Sequence, residues 1–445
     1  MSKEVVIVEF YANQIKSSFQ KWLVLFSYSI IAMANVMQLV SYSPIWESAA
    51  IYYGIPPQDL QWIGNMYYIT FFVLAPFCIK PLLVRLDISM HLIGVISALG
   101  AWIIWIGGQS YLMTMIGLFI IGISDAMILI VPVCNQIVNN QVLSEKWFSI
   151  YQRLLATSLG SFFQYIGMAF AYGFSSFYFD ITDEQSIVNT KINEMNLIIA
   201  IFNTVGAVLL LMFFRNRPPH PASNSDNIVK DTIWKSTVKM LTQEESVIDL
   251  LSLGICKSIK LLKVIGLGWV YTTIISFELY PFGYTQAEVA INGTVYQISG
   301  VAVGLWASIK LDSQAKQGIQ PDYDRYIKIF TSIGMITLIL EAFIIEYLEF
   351  WMLLFVNFAM GVGLNSFYPI AIQAYIEKLY PASELVLVTG LLCLANMVGF
   401  VLNYLIVLPE FEQFGLWIGC LTITPGYLYI LLNYKTKYRR FEQEI

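Results

Sequence analysis

Residues 111–140 read YLMTMIGLFIIGISDAMILIVPVCNQIVNN. About 20 apolar residues carry a helix across the hydrocarbon core of a bilayer, and this stretch supplies them. Near its middle stands one carboxylate, Asp125. Asp125 therefore falls close to the bilayer midplane, where a charge costs on the order of 3 kcal/mol on insertion scales. An isolated Asp facing lipid is hard to keep. The expectation is that it faces a polar cavity or a partner inside a helical bundle.

The composition fits such a bundle. Of 445 residues, 57% are hydrophobic and 12% are charged, and the mean hydropathy is +0.65. Soluble domains carry about 25% charge, so a polytopic helical membrane protein is expected rather than a soluble enzyme. The five cysteines, Cys78, Cys134, Cys256, Cys393 and Cys420, are scattered without C-x-x-C spacing. Neither a disulfide framework nor a metal site follows. His91 and His220 sit near segment ends, which argues against a His-ligated haem or metal in the bilayer. No cofactor is expected. The first apolar run starts at Trp22 and is too long for a cleavable signal.

Twelve apolar spans can be drawn, at about 22–44, 60–80, 91–107, 111–134, 152–174, 195–214, 262–281, 294–309, 326–343, 349–372, 385–408 and 413–433. Residues 1–21 form a short leading segment. The six spans of 22–214 and the six of 262–433 form two halves. Residues 215–261 form a polar central loop, whose second part, KDTIWKSTVKMLTQEE, reads as a short amphipathic surface helix. Residues 434–445 form a tail. With both termini placed in the cytoplasm, every Lys and Arg of the 25 falls on the inner side except Lys191. Positive charge concentrates on that side of membrane proteins, and a miscounted span would scramble everything after it. The fold class expected is all-α, with twelve transmembrane helices in two six-helix halves. Net charge is −5, partly from outer-loop acids such as Asp180, Asp183 and Glu184. It gives no reason to expect nucleic acid. The expected partners are a small-molecule substrate and the lipid bilayer, with the chain acting as a monomer.

A 6 + 6 arrangement with a long central loop resembles the major facilitator superfamily. That resemblance implies that the first, fourth, seventh and tenth spans line a central cavity, with binding near the midplane between the halves. A narrower resemblance rests on an ordered set of residues. The first span carries Asn35-x-x-Gln38 and then Tyr42-Ser43. The third carries Leu99-Gly100-Ala101-Trp102. The fourth has Gly117 and Ile128-Leu129-x-x-Pro132. After the tenth come Glu377-x-x-Tyr380-Pro381-x-Ser383-Glu384 and Gly390-Leu391-Leu392. Together these resemble the feline leukaemia virus subgroup C receptor-related transporters. That family implies transport of choline and related amines, a debated haem-export role, and a vitamin such as pyridoxine in a lysosomal branch. The carry-over is mixed. Asp125 stands where choline-transporting members have a glutamine. Leu39 replaces a tryptophan wall, and Val270 replaces a tyrosine wall, with Trp269 and Tyr271 beside it. The acidic loop after the second span is degenerate, Lys80-Pro81-Leu82-Leu83-Val84-Arg85-Leu86-Asp87.

Candidate residues follow from these spans, each with a bland alternative. Asp125 could be a structural acid bonded to a hydroxyl or amide, but no Lys or Arg lies at matching depth in another span. Asn35 and Gln38 are three apart on one helix face and line a cavity or tie helices together. Glu278 sits toward the outer end of the seventh span, on a cation access path or snorkelling to the interface. Glu341, late in the ninth span, reads as interfacial. Tyr42, Trp269, Tyr271 and Tyr368 offer aromatic faces or ordinary packing. Asn365 and Tyr368 follow Gly361 and Gly363, where a membrane helix can bend. Gln164 reads as a packing or cavity-rim amide. A carboxylate and aromatic faces are the groups that replace water around an organic ammonium ion. The expected function is therefore alternating-access transport of a small, choline-like organic cation or amine, with Asp125 as counter-charge. The alternatives are a proton-coupled carrier of a neutral molecule or vitamin, a haem exporter, and a non-transporting receptor. The membrane is the plasma membrane or an internal, lysosome-like one. An intramembrane enzyme is not expected, since no H-E-x-x-H or nucleophile–base pair is present.

Overall fold

Apolar runs of this length fold as helices because a bilayer offers no water to the backbone, so each peptide group must bond within its own segment. The computed structural model describes residues 19–131, 148, 150–179, 185–214, 232–242, 268, 271–273, 275, 277–347, 349–407, 415–436, 438 and 439, and the apolar runs among them are helical. In the first half, α1 (Phe19–Val40) passes through a 3-10 turn at Ser43–Ile45 into α2 (Trp46–Tyr53). Then come α3 (Gln61–Val84), α4 (Leu86–Gly107), α5 (Tyr111–Ile128), α6 (Arg153–Tyr178) and α7 (Gln185–Phe213). The short α8 (Ile233–Thr242) lies in the central loop, where an amphipathic helix was expected. In the second half, residues 271–273, 275 and 277–279 are helical pieces of the seventh span. After them come α9 (Gln286–Lys316), α10 (Tyr323–Ile344), α11 (Phe350–Leu364), α12 (Phe367–Leu379), α13 (Glu384–Ile406) and α14 (Gly415–Asn433).

Among the described residues, nine helical stretches are long and apolar enough to cross a membrane. The helix α9 is not one of them, although it runs for 31 residues. It is packed between α6 and α11, so its many buried polar residues, including Asn292, Gln297 and Ser308, meet protein rather than lipid. Several boundaries differ from the sequence reading. The eighth span starts eight residues earlier, at Gln286, where Thr285 and Glu288 form a capping box. Asn292-Gly293-Thr294, which has the N-x-T pattern of a glycosylation acceptor, thus lies inside a helix with Asn292 buried. The tenth span is two helices, broken at Asn365–Ser366. The sixth begins at Gln185, which puts Lys191 within it.

Packing inside the first half depends on close approach at small residues. A Cβ on Gly100 of α4 would lie 2.7 Å from the carbonyl oxygen of Gly117 on α5, and one on Gly117 equally close to that of Gly100. The halves meet along two helix pairs, α6 with α9 and α3 with α13. Ser158 and Ser308 hydroxyls bond at 2.7 Å across the first pair, and Asn403 Nδ2 donates to Asn65 Oδ1 at 2.8 Å across the second. The ring of Tyr172 fills the space that a side chain at Gly293 would take. These two seams leave the space between them for the central cavity.

Candidate functional site

Asp125 is set by its neighbour. Ser124 receives a hydrogen bond from Asn35 Nδ2 at 2.9 Å and donates to Ile121 O at 2.6 Å. The Tyr28 hydroxyl donates to Ile128 O at 2.7 Å. These bonds fix the rotation of α5 so that Asp125 faces a cavity with about 480 Å³ of atom-free space. Asp125 is only 6% exposed. Among the described residues its carboxylate has no hydrogen-bond or ion-pair partner.

The other walls come from both halves. Val36 and Leu39 stand on α1, Tyr67 and Tyr68 on α3, and Gln164, Tyr165 and Met168 on α6. The second half adds Thr272 and Thr273 of the seventh span and Asn396 of α13. The Tyr67 hydroxyl donates to Asn35 O at 3.1 Å, and that of Tyr68 lies 3.3 Å from Thr273 Oγ1. With both hydroxyls engaged, it is the rings that remain to meet an occupant. Gln164 Nε2 is buried without a hydrogen-bond partner. Among the described residues the cavity thus offers one unneutralised carboxylate, three tyrosine rings and one spare amide donor. A second cavity, with about 340 Å³ of atom-free space and lined by Tyr42, Trp46, Phe277 and Asn403 among others, shares Leu39 and Thr273 with the first. These two residues form the partition between them.

The remaining residues named from sequence are dispersed. Tyr42 lines the second cavity, and its hydroxyl donates to Asn196 Oδ1 at 2.7 Å. Gln38 is fully buried and bonds Tyr42 through Nε2 at 3.3 Å. It lines neither cavity. Asn35 also lines neither, because its amide joins α1 to Ser97 on α4 and Ser124 on α5. Tyr271 and Glu278 point into the second half, away from Asp125. The Tyr271 hydroxyl lies 2.7 Å from Glu341 Oε1 and 2.7 Å from Asn357 Oδ1. Glu341, read as interfacial, is instead fully buried. Asn365 sits at the break in the tenth span and donates to Gln297 Oε1 at 3.1 Å. Gln297 in turn donates to Thr272 Oγ1 at 2.8 Å, so the break is wired to the cavity wall. Tyr368 lies one ring behind the wall, with its centroid 6.5 Å from that of Tyr165. Trp269 and Val270 lie outside the described residues. Tyr67, Tyr68, Tyr165, Thr272, Thr273 and Asn396 were not anticipated. Tyr67 and Tyr68 on the second span and Tyr165 on the fifth do not stand out in a chain that is 15% aromatic.

Comparison with known proteins now bears on this geometry. Residues 24–402 match the family model described as Major Facilitator Superfamily. The chain belongs to that superfamily. It is a multi-pass membrane protein. Among curated relatives, a Caenorhabditis elegans protein named only as an uncharacterised MFS-type transporter is 24% identical, with 82% of this chain and 60% of the relative covered. The choline/ethanolamine transporter FLVCR2 of Rattus norvegicus is 20% identical over 83% of this chain and 66% of its own. The human FLVCR2 is 21% identical over 83% and 68%. The chain thus spans about two thirds of the length of these relatives. Among solved structures, a bacterial homologue of the human lysosomal transporter Spinster, inward-facing and unoccupied, superposes with a TM-score of 0.62. It is 13% identical, with 94% of this chain and 97% of that one covered. The human organic anion transporter MFSD10 gives 0.60 at 11% identity, over 92% and 99%. These two likenesses concern the superfamily fold.

Proposed function

We propose that this transporter moves a small organic cation or amine, choline-like in size and charge, through the cavity at Asp125 by alternating access. The observation that carries the reading is the carboxylate of Asp125, which faces that cavity beside Tyr67, Tyr68 and Tyr165 with no positive partner among the described residues. A desolvated cation over an aromatic ring gains about 2 kcal/mol, and an ionic hydrogen bond about 1.5–3 kcal/mol. One carboxylate and several rings together give useful affinity for an ammonium group. The FLVCR2 relatives, which are choline/ethanolamine transporters, support the same reading. Haem fits this lining poorly, since its propionates would meet a carboxylate and no described base. The same reading takes the chain as twelve spans with both termini cytoplasmic, supported by the distribution of Lys and Arg. The deciding experiment is uptake of labelled choline and ethanolamine into proteoliposomes. Asp125→Asn keeps the shape and removes the charge, and should weaken uptake about 10- to 100-fold. Equal uptake by wild type and Asp125→Asn would sink the counter-charge role.

A further inference from the structure

The second cavity adjoins the one at Asp125, toward the end of the bundle where α1 turns into α2. Three elements give the same order. On α3, Tyr68 lines the first cavity and Gln61 the second. In the seventh span, Thr272 lines the first and Phe277 the second. On α13, Asn396 lines the first and Asn403 the second. Seven residues of helix, as from Asn396 to Asn403, rise by about 10 Å. The two cavities are therefore successive steps along one axis, divided by the Leu39 and Thr273 side chains that line both.

The two linings differ in chemistry. Among the described residues no charged side chain lines the second cavity. Its walls are rings and aliphatic groups, with Trp46 and Phe277 packed at 4.0 Å between ring centroids. Two polar atoms of its lining residues are buried without a hydrogen-bond partner, Gln61 Oε1 and Trp46 Nε1. Gln61 itself is only 9% exposed. The Tyr42 hydroxyl is engaged by Asn196 and the Asn403 amide by Asn65. An ammonium group moved here would meet ring faces but lose its counter-charge, and a buried ion without one is costly. An uncharged ring meets no such cost. A hydroxyl on that ring both donates and accepts, so it suits the Gln61 carbonyl and the Trp46 N–H alike. We propose that the second cavity is a subsite for an uncharged, hydroxyl-bearing ring, and that the ligands filling both cavities are amines whose ammonium group stands at Asp125 and whose ring tail reaches past Leu39 and Thr273. A change of Leu39 rotamer gives the tail its way through. Choline and ethanolamine have no ring and fill the first cavity alone. The proposal rests on the cation reading of Asp125 for one end of the ligand, and on Gln61 and Trp46 for the other.

The test is isothermal titration of the purified full chain with ethanolamine and with phenylalkylamines of two, four and six methylene groups, each with and without a para hydroxyl on the ring. A ring amine of fitting length should bind about 10- to 100-fold more tightly than ethanolamine, the gain expected from burying a ring of phenylalanine size. At that length the ring hydroxyl should add about 2- to 10-fold. Gln61→Leu should erase the hydroxyl gain and keep the gain from the ring. Gly64→Ala is a second variant that narrows the same cavity. Its methyl would lie 3.5 Å from Asn403 Nδ2 and 3.6 Å from Thr273 Cγ2, which is ordinary contact that the fold accommodates. Ring amines should lose affinity in it relative to ethanolamine. Wild-type affinity that is blind to the ring hydroxyl at every chain length overturns the subsite. So does a hydroxyl gain that survives Gln61→Leu, or a loss in Gly64→Ala that ethanolamine shares equally. If phenylalkanols of the same length bind as tightly as the amines, the cation reading fails, while the hydroxyl gain and its dependence on Gln61 still decide the subsite.

Discussion

Asp125 and Glu341 are both carboxylates buried in membrane-embedded helices, and their surroundings differ in kind. Glu341 is closed in by its own neighbours, with Tyr271 and Asn357 directed at one oxygen. Asp125 faces open space, and the amide and hydroxyls around it bond elsewhere or remain free. A group whose neighbours are arranged for it stabilises the fold. A group left unserved at a cavity wall is available to a ligand. The largest test of this contrast is stability. Glu341→Ala empties a packed site and strands the Tyr271 and Asn357 groups, so it should cost about 2–4 kcal/mol. Asp125→Ala removes a charge that has nothing bonded to it among the described residues, and should leave the melting temperature unchanged or raise it. Equal losses of thermal stability in the two variants would erase the distinction.

The same contrast explains what the sequence could reveal. Asp125 was legible because one charge at the centre of an apolar run is costly wherever the helix packs. Glu341 was not, because it lies near the end of its span, where a carboxylate can reach water. Only the packing of α11 and α14 over that end of α10 removes the escape. Asn35 and Gln38 announced a polar helix face correctly, yet that face meets α4, α5 and Tyr42 rather than the cavity. Which face of a helix looks inward depends on rotation about its axis, and that is set by partners far along the chain. The cavity tyrosines were hidden by abundance. Tyr67 and Tyr68 are two among 27 tyrosines, and nothing local separates a wall from a belt.

A smaller effect sharpens the cavity side. If a cation occupies the space, the rings act through their faces, and each contributes about 0.5–2 kcal/mol. Tyr165→Ala should therefore weaken choline binding about 2- to 30-fold, while Tyr165→Phe should stay close to wild type. Isothermal titration of the purified protein would separate the two. A Phe variant as weak as Ala would mean that the hydroxyl matters and that the ring is not a cation wall.

The smallest expected effect concerns Asn35, which touches no occupant. Its amide links three helices, and interhelical hydrogen bonds in membranes contribute about 0.6 kcal/mol each. Asn35→Ala removes two close ones, to Ser97 and Ser124, so stability should fall by about 1 kcal/mol. Because Ser124 adjoins Asp125, the loss also loosens the rotation of α5 that aims the carboxylate. Maximal uptake should fall modestly in proportion to folded protein, with little change in the substrate concentration at half-maximal rate. A change in that concentration as large as the one produced by Asp125→Asn would place Asn35 in contact with substrate, and the boundary drawn between lattice and cavity would have to move.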